Sequence, residues 1–176
     1  MAKRAKKKAA TKRATKEKPK RAAKRGSEIL LASQHAVVTG AKPCKEGDDI
    51  QAHDIAIEFV ANGRFFSSVF DEDLRLAIWD EEGSPRQACI KIHRTEQLED
   101  VQVEITDVQG SLIDDSVKLA FSDCRIRGIH FDPLPEGMSR VRLKARVRPS
   151  SSLQAGQLDW MIAKEVFVTI EKGALT

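Results

Sequence analysis

The sequence contains no tyrosine, and aromatic residues fill only 5% of its 176 positions. That argues against a broad platform of rings for stacking successive bases. Cysteine is nearly as scarce. Cys44, Cys89 and Cys124 are odd in number and far apart, with no CxxC and no Cys/His ligand spacing. Such usage argues against a disulfide framework or a zinc module and for a reducing compartment. Long hydrophobic runs are missing. Ile29-Leu30-Leu31-Ala32 is too short for a signal-peptide core, and no stretch approaches a membrane span. No GxSxG elbow, Walker loop, dinucleotide fingerprint or HExxH occurs, so the expectation includes no catalytic residue, no cofactor and no enzyme activity.

What is present is charge, sorted by position. Residues 1–25 hold thirteen basic residues and one acid, a net charge of +12, while residues 26–176 hold 17 basic and 25 acidic residues, a net −8. The modest overall +4 thus hides a strongly basic arm on an acidic body. Lys3, Arg4, Lys6, Lys7, Lys8, Lys12, Arg13, Lys16, Lys18, Lys20, Arg21, Lys24 and Arg25 form the arm's cationic set. Like charges repel, residues 2–25 carry no apolar side chain larger than alanine, and Pro19 interrupts any helix. Residues 1–26 therefore read as a disordered arm, and 27–176 as a single domain. A segment of this charge attracts polyanions at long range, phosphate backbones foremost.

The body reads mainly as strands. Ile55, Ile57 and Phe59 alternate with polar or small residues, as do Ala88, Ile90 and Ile92, then Val101, Val103 and Ile105. Val117, Leu119 and Phe121 follow, then Cys124 and Ile126, then Val141, Leu143, Ala145 and Val147, and last Val166, Val168 and Ile170. Period two means one buried face and one wet face. Several such runs with turn signals between them predict a mainly β fold, an antiparallel sandwich or a partly open barrel. Two short helices interrupt it. One is capped by Asp71 and runs to Trp79 with Leu74, Ala77 and Ile78 inward, and Phe66 and Phe70 continue that stripe backward at four-residue spacing; the other spans Gln157 to Lys164. Turns are expected at Glu81–Pro85, Gln109-Gly110 and Pro133–Gly137, and a bulge at Gly128, where the alternation slips.

One strand is unusual. Arg140, Arg142, Lys144, Arg146 and Arg148 occupy every outward position beside Val141, Leu143, Ala145 and Val147. Arg125 and Arg127 lie outward on the preceding strand. If the two strands form a hairpin, seven cations share one face at roughly 6.5–7 Å spacing, suited to a row of phosphates. The competing expectation is that acids on another strand, such as Asp100 and Glu104, neutralise this face. Other constellations have plainer accounts. Asp71-Glu72-Asp73 suits a helix N-terminus and Asp80-Glu81-Glu82 a turn, so no metal site is assigned. His35, His53, His93 and His130 are scattered, and Cys124 faces the core.

Several segments of the second half resemble small β-rich proteins of tailed phages and prophages. They are Ser116-Val117-Lys118-Leu119, Asp123-Cys124-Arg125-Ile126, Gly128-Ile129-His130-Phe131, Pro135-Glu136-Gly137, Val141-Arg142-Leu143, Gly156-Gln157-Leu158 and Glu165–Ile170, in that order. Phe70–Trp79 is similar to a Phe-Asp-x-x-Leu-Arg-x-x-Leu-Tyr pattern of the same proteins, with Ile78 and Trp79 in place of Leu and Tyr. The strand-strand-helix-strand ending resembles, in layout, the β-sandwich subunits of phage tail tubes. The resemblance implies a phage origin and no particular activity.

The resulting expectation is a non-enzymatic, DNA-binding accessory protein of a bacteriophage. DNA stands ahead of RNA as its partner, and other phage proteins or further copies of the chain are additional partners. Membranes are not expected partners. It would work in the host cytoplasm or travel packaged in the virion. The alternative is a virion or tail structural subunit.

The strand register carries its own test. Leu119→Asp, Leu143→Asp and Val168→Asp should each cost several kcal/mol or abolish folding, because each buries an unpaired carboxylate. Serine at Lys118, Lys144 or Thr169 should change stability by no more than about 0.5 kcal/mol. Chemical denaturation of the six variants checks this, and equal tolerance at both sets would refute the register.

Overall fold

Alternating burial runs the length of the strands. From Ser139 to Val147 every second residue is buried, and Val101, Val103, Ile105, Val166, Val168 and Ile170 repeat the pattern. The computed structural model describes residues 28–46, 50–87, 91–108 and 117–173. Among these are seven strands: β1 (Glu28–Glu46), β2 (Ile50–Ala61), β3 (Ile92–Arg94), β4 (Leu98–Asp107), β5 (Lys118–Pro133), β6 (Ser139–Val147) and β7 (Glu165–Lys172). The helices are α1 (Gly63–Val69), α2 (Glu72–Ile78) and α3 (Ser152–Trp160).

All strand pairs are antiparallel and belong to one sheet, in the order β3-β5-β4-β7-β1-β2-β6. A further ladder joins β5 to β6. The pairings therefore close into a six-stranded ring with β3 attached outside the circuit. Glu28 faces Lys172, Lys172 faces Val101, and Val101 faces Cys124. The next residue, Arg125, faces Arg146, which faces Asp54, which faces Lys42. One circuit thus returns to β1 far along from its start, the stagger that tilts strands in a closed barrel. The interior is filled by side chains, with Val38, Ile55, Ile105, Ile129, Phe131, Val141 and Val168 fully buried.

The mainly β expectation is borne out in its barrel form. Leu119, Leu143 and Val168 face inward as expected. The runs around Phe121 and Ile126 are one strand, β5, and its register with β6 shifts between Arg127 and His130, where Gly128 sits at φ +59°. Ala88, Ile90, Gln109 and Gly110 lie outside the described residues; Ile92 opens β3.

The helices depart from expectation in detail. Phe66 and Phe70 do not continue the α2 stripe. Phe66 belongs to a separate helix, α1, whose first turn is capped by the Asn62 side chain accepting from Arg64 N at 3.1 Å. Phe66 packs edge-on against Trp79 and Phe131 at 5.1 Å each, and lies tilted on Phe70 at 4.9 Å. This aromatic cluster takes the inward role assigned to α2, so Ile78 is buried while Leu74 and Ala77 are exposed. Asp71 holds the cap position of α2 but makes no side-chain cap bond. The last helix begins five residues early, at Ser152, because Ser151 Oγ accepts from Gln154 N and caps it there. The largest omission is β1, where a register shift between Leu31 and Gln34, with Ser33 at φ 43°, breaks the alternation.

The turn after α2 is tied to the β5–β6 turn. Trp79 Nε1 donates to Leu134 O at 3.0 Å, and Gly137 N donates to Gly83 O at 2.8 Å. Gly83 has φ +77°, and a Cβ there would lie 2.9 Å from Gly137 N. Gly83→Ala should therefore cost about 1–3 kcal/mol. Gly156, inside α3 with open space around its Cα, should gain about 0.5–1 kcal/mol on replacement by Ala. Thermal melts of the two variants should move in opposite directions.

Candidate nucleic-acid interface

Lys3, Arg4, Lys6, Lys7, Lys8, Lys12, Arg13, Lys16, Lys18, Lys20, Arg21, Lys24 and Arg25 lie outside the described residues. Description begins at Glu28, the first residue of β1, opposite Lys172.

The hairpin behind the second expected site is present. β5 and β6 are joined through Pro133–Gly137, with Arg125 opposite Arg146 and Arg127 opposite Lys144. Arg125, Arg127, Arg140, Arg142, Lys144, Arg146 and Arg148 are all brought to the outer surface of the barrel. They are not a free row of charge. Arg146 Nε lies 2.8 Å from Asp54 Oδ1, and Arg127 pairs with the other oxygen of the same carboxylate. Arg142 reaches Asp132 at 2.7 Å, and Arg140 lies 3.8 Å from Glu58. Arg125 and Arg148 share Glu46 at 3.1 and 2.8 Å, and Arg148 also pairs with Asp123. Among the described residues only Lys144 of the seven has no carboxylate partner within ion-pair distance.

The neutralising acids differ from those expected. Glu104 pairs with Lys118 on its own side of the barrel, at 2.9 Å. Asp54 and Glu58 come from β2, which the ring places beside β6. Their outward position was readable, since they alternate with Ile55 and Ile57. Their adjacency to β6 was not, because nothing local in the sequence pairs β2 with β6.

The network sets the charge states of its members. Hydrogen bonding by Arg146, with Arg127 alongside, holds the Asp54 carboxyl below its usual range. The Arg148 hydrogen bond does the same for Glu46, reinforced by the charge of Arg125. Seven cations against five carboxylates leave a small positive excess. Arginines held this way retain unused donors, but a phosphate would have to compete with a carboxylate for them.

The dismissed constellations have structural uses. His53 is buried while Asp54 points out to the arginines, so the two do not form an acid–base pair. Glu72 binds Arg75 at 2.6 Å, and Asp80 Oδ1 accepts from Glu82 N and Ser84 N within its turn. Burial pushes the Cys124 thiol up to about 12, which leaves little thiolate for nucleophilic chemistry. Cys89 lies outside the described residues. His93 and His130, left scattered by the sequence, stack face to face at 4.1 Å across β3 and β5. Among the described residues no helix is long and apolar enough to cross a membrane.

Comparison with family models, curated proteins and solved structures finds no match.

Asp54 is the acid on which this face turns. Asp54→Asn should cost about 1–3 kcal/mol at neutral pH, since it removes a charged hydrogen-bond acceptor from two arginines. The wild-type Asp54 contribution is present above the unfolded carboxylate pKa of about 4 and is lost as pH falls through the lower folded value. The variant should therefore lose less stability than wild type on acidification below about pH 4. Denaturant midpoints measured from pH 7 to pH 2 check both statements. Equal midpoints at pH 7 would mean the network contributes nothing.

Proposed function

We propose that this chain is a non-enzymatic nucleic-acid-binding protein, of phage or prophage origin, that holds its polyanion chiefly through residues 1–25. The observation that carries the reading is the segregation of charge: +12 in the first 25 residues against −8 in the rest. The barrel adds an argument by elimination. Its basic hairpin is mostly committed to internal ion pairs, so the cations of the arm are the larger reserve for phosphate. Contacts of this kind read charge and not base sequence. The barrel then serves as the body that the arm tethers to DNA.

A second reading, a virion or tail structural subunit, is favoured by exposed apolar side chains. Leu153 is 71% exposed and Trp160 50%, both on α3. An assembling subunit would cover them with a neighbouring copy.

Removing residues 2–25 should abolish most nucleic-acid affinity and leave the far-ultraviolet circular dichroism of the barrel intact. In the full chain, log K should fall with log salt at a slope of roughly −5 to −9, if six to ten phosphates are neutralised. Unchanged affinity after truncation would overturn the assignment to the arm. Rings or tubes forming at high concentration, with only weak binding, would favour the structural subunit.

A further inference from the structure

The ion pairs of the basic hairpin leave one place uncovered. Lys144 faces Arg127 on β5 and Ala56 on β2. The carboxylates two residues away on β2 are already engaged: Asp54 by Arg146 and Arg127, Glu58 by Arg140. At this point β5 bulges. Gly128, at φ +59°, has no side chain, and a Cβ there would meet only His130 Nε2, at 4.0 Å. Two hollows in the surface share Gly128, His130 and Lys144. One hollow, of about 370 Å³, is lined by Lys91, Gly128, His130, Arg142 and Lys144. The other, of about 400 Å³, adds His93 and Arg127.

The groups around this notch are cationic or can become so. Lys91, just ahead of β3, has no carboxylate within ion-pair distance among the described residues. His93 on β3 stacks on His130 with an interplanar angle of 4°. Arg142 from β6 lines the first hollow, Arg127 from β5 the second and Lys144 both, and Asp132, itself engaged by Arg142, is an acid that acts on His130. Burial, then the charges of His93, Arg142 and Lys144, hold the His130 imidazole below its usual range. Two ammonium groups without a carboxylate partner among the described residues, two imidazoles that gain donors on protonation and a concave floor make a surface suited to a tetrahedral oxyanion.

We propose that the notch at the β5 bulge is a phosphate-binding site, with Lys91 and Lys144 as its charged contacts and the His93–His130 pair as its floor. Capture of the phosphate group stands on this geometry alone. That the phosphate belongs to a nucleic-acid strand rests on the function proposed above. A bound anion would oppose the local positive field, so the His130 pKa should rise on binding, and binding of a phosphodiester, whose charge does not change in this range, should tighten as pH falls below the ordinary imidazole value of about 6.5. The groups that govern this are Lys91, His93, Arg127, Asp132, Arg142 and Lys144.

The test uses the full chain and follows the imidazole Cε1–H resonances of His93 and His130 by NMR, assigned with H93Q and H130Q spectra. Titration curves are recorded without ligand, with saturating inorganic phosphate, and with a short oligonucleotide. A rise in the His130 pKa with either probe, abolished in Lys91→Ser/Lys144→Ser, is the expected result. A response to inorganic phosphate identifies a small-anion site; a response to the oligonucleotide alone identifies a phosphodiester site. In the second case the double variant should also lose about two units of salt slope in oligonucleotide binding. No response to either probe would overturn the site, as would a response that survives in the double variant. Failure of the arm truncation to weaken binding would count against the function proposed above and would leave the His130 result standing.

Discussion

The structure depends on one strand that serves three neighbours. β5 runs sixteen residues. Its first half pairs with β4, and its second half with β6 on one side and β3 on the other. Without this division the sheet would remain open between β5 and β6, with unpaired backbone groups exposed at both edges. Gly128 permits it, because its left-handed backbone takes up the register shift without the strain a side chain would bring. The closed ring then buries Phe121, Ile126, Ile129 and Phe131 on a single strand.

Closure also decides the chemistry of the outer surface. A row of alternating arginines would repel itself on an open edge. In the ring, β6 lies between β2 and β5, both of which supply carboxylates at matching rows. Exposed pairs of this kind contribute little individually, about 0–1 kcal/mol, but Asp54 and Glu46 each hold two arginines and are less exposed than most. The network is better understood as relief of repulsion than as a source of stability. Lys144 escapes it because its β2 neighbour is Ala56.

The inner faces of β2, β4, β5, β6 and β7 were legible because period-two burial is written directly in the positions of Val, Ile, Leu and Phe. The Gly128 bulge was legible for the same reason, as a break in that period. β1 was not. It carries consecutive buried leucines, 30 and 31, a bulge and an internal Pro43, so its alternation is lost twice in nineteen residues. The two helices joined at Phe70 read as one stripe because phenylalanines four apart look alike on either side of a break. The hairpin cations were visible as a pattern, but two of their partners, Asp54 and Glu58, were set by the β2–β6 pairing, which links residues roughly ninety apart and leaves no local mark.

β1 is also where the basic segment enters the barrel, and its attachment has a mechanical side. The strand's first rungs are with β7 alone, at Glu28, Ile29 and Leu31, and firm pairing with β7 resumes at Gln34 after the bulge. Ala36 and Val37 are held by β2 as well, and from Val38 onward the ladder continues with β2. A pull on the N-terminal segment therefore loads a short, singly held stretch before it reaches the doubly held one. The bulge at Ser33 acts as a tear line: the first rungs can peel away while the Ala36–Phe59 rung and the core behind it keep their places.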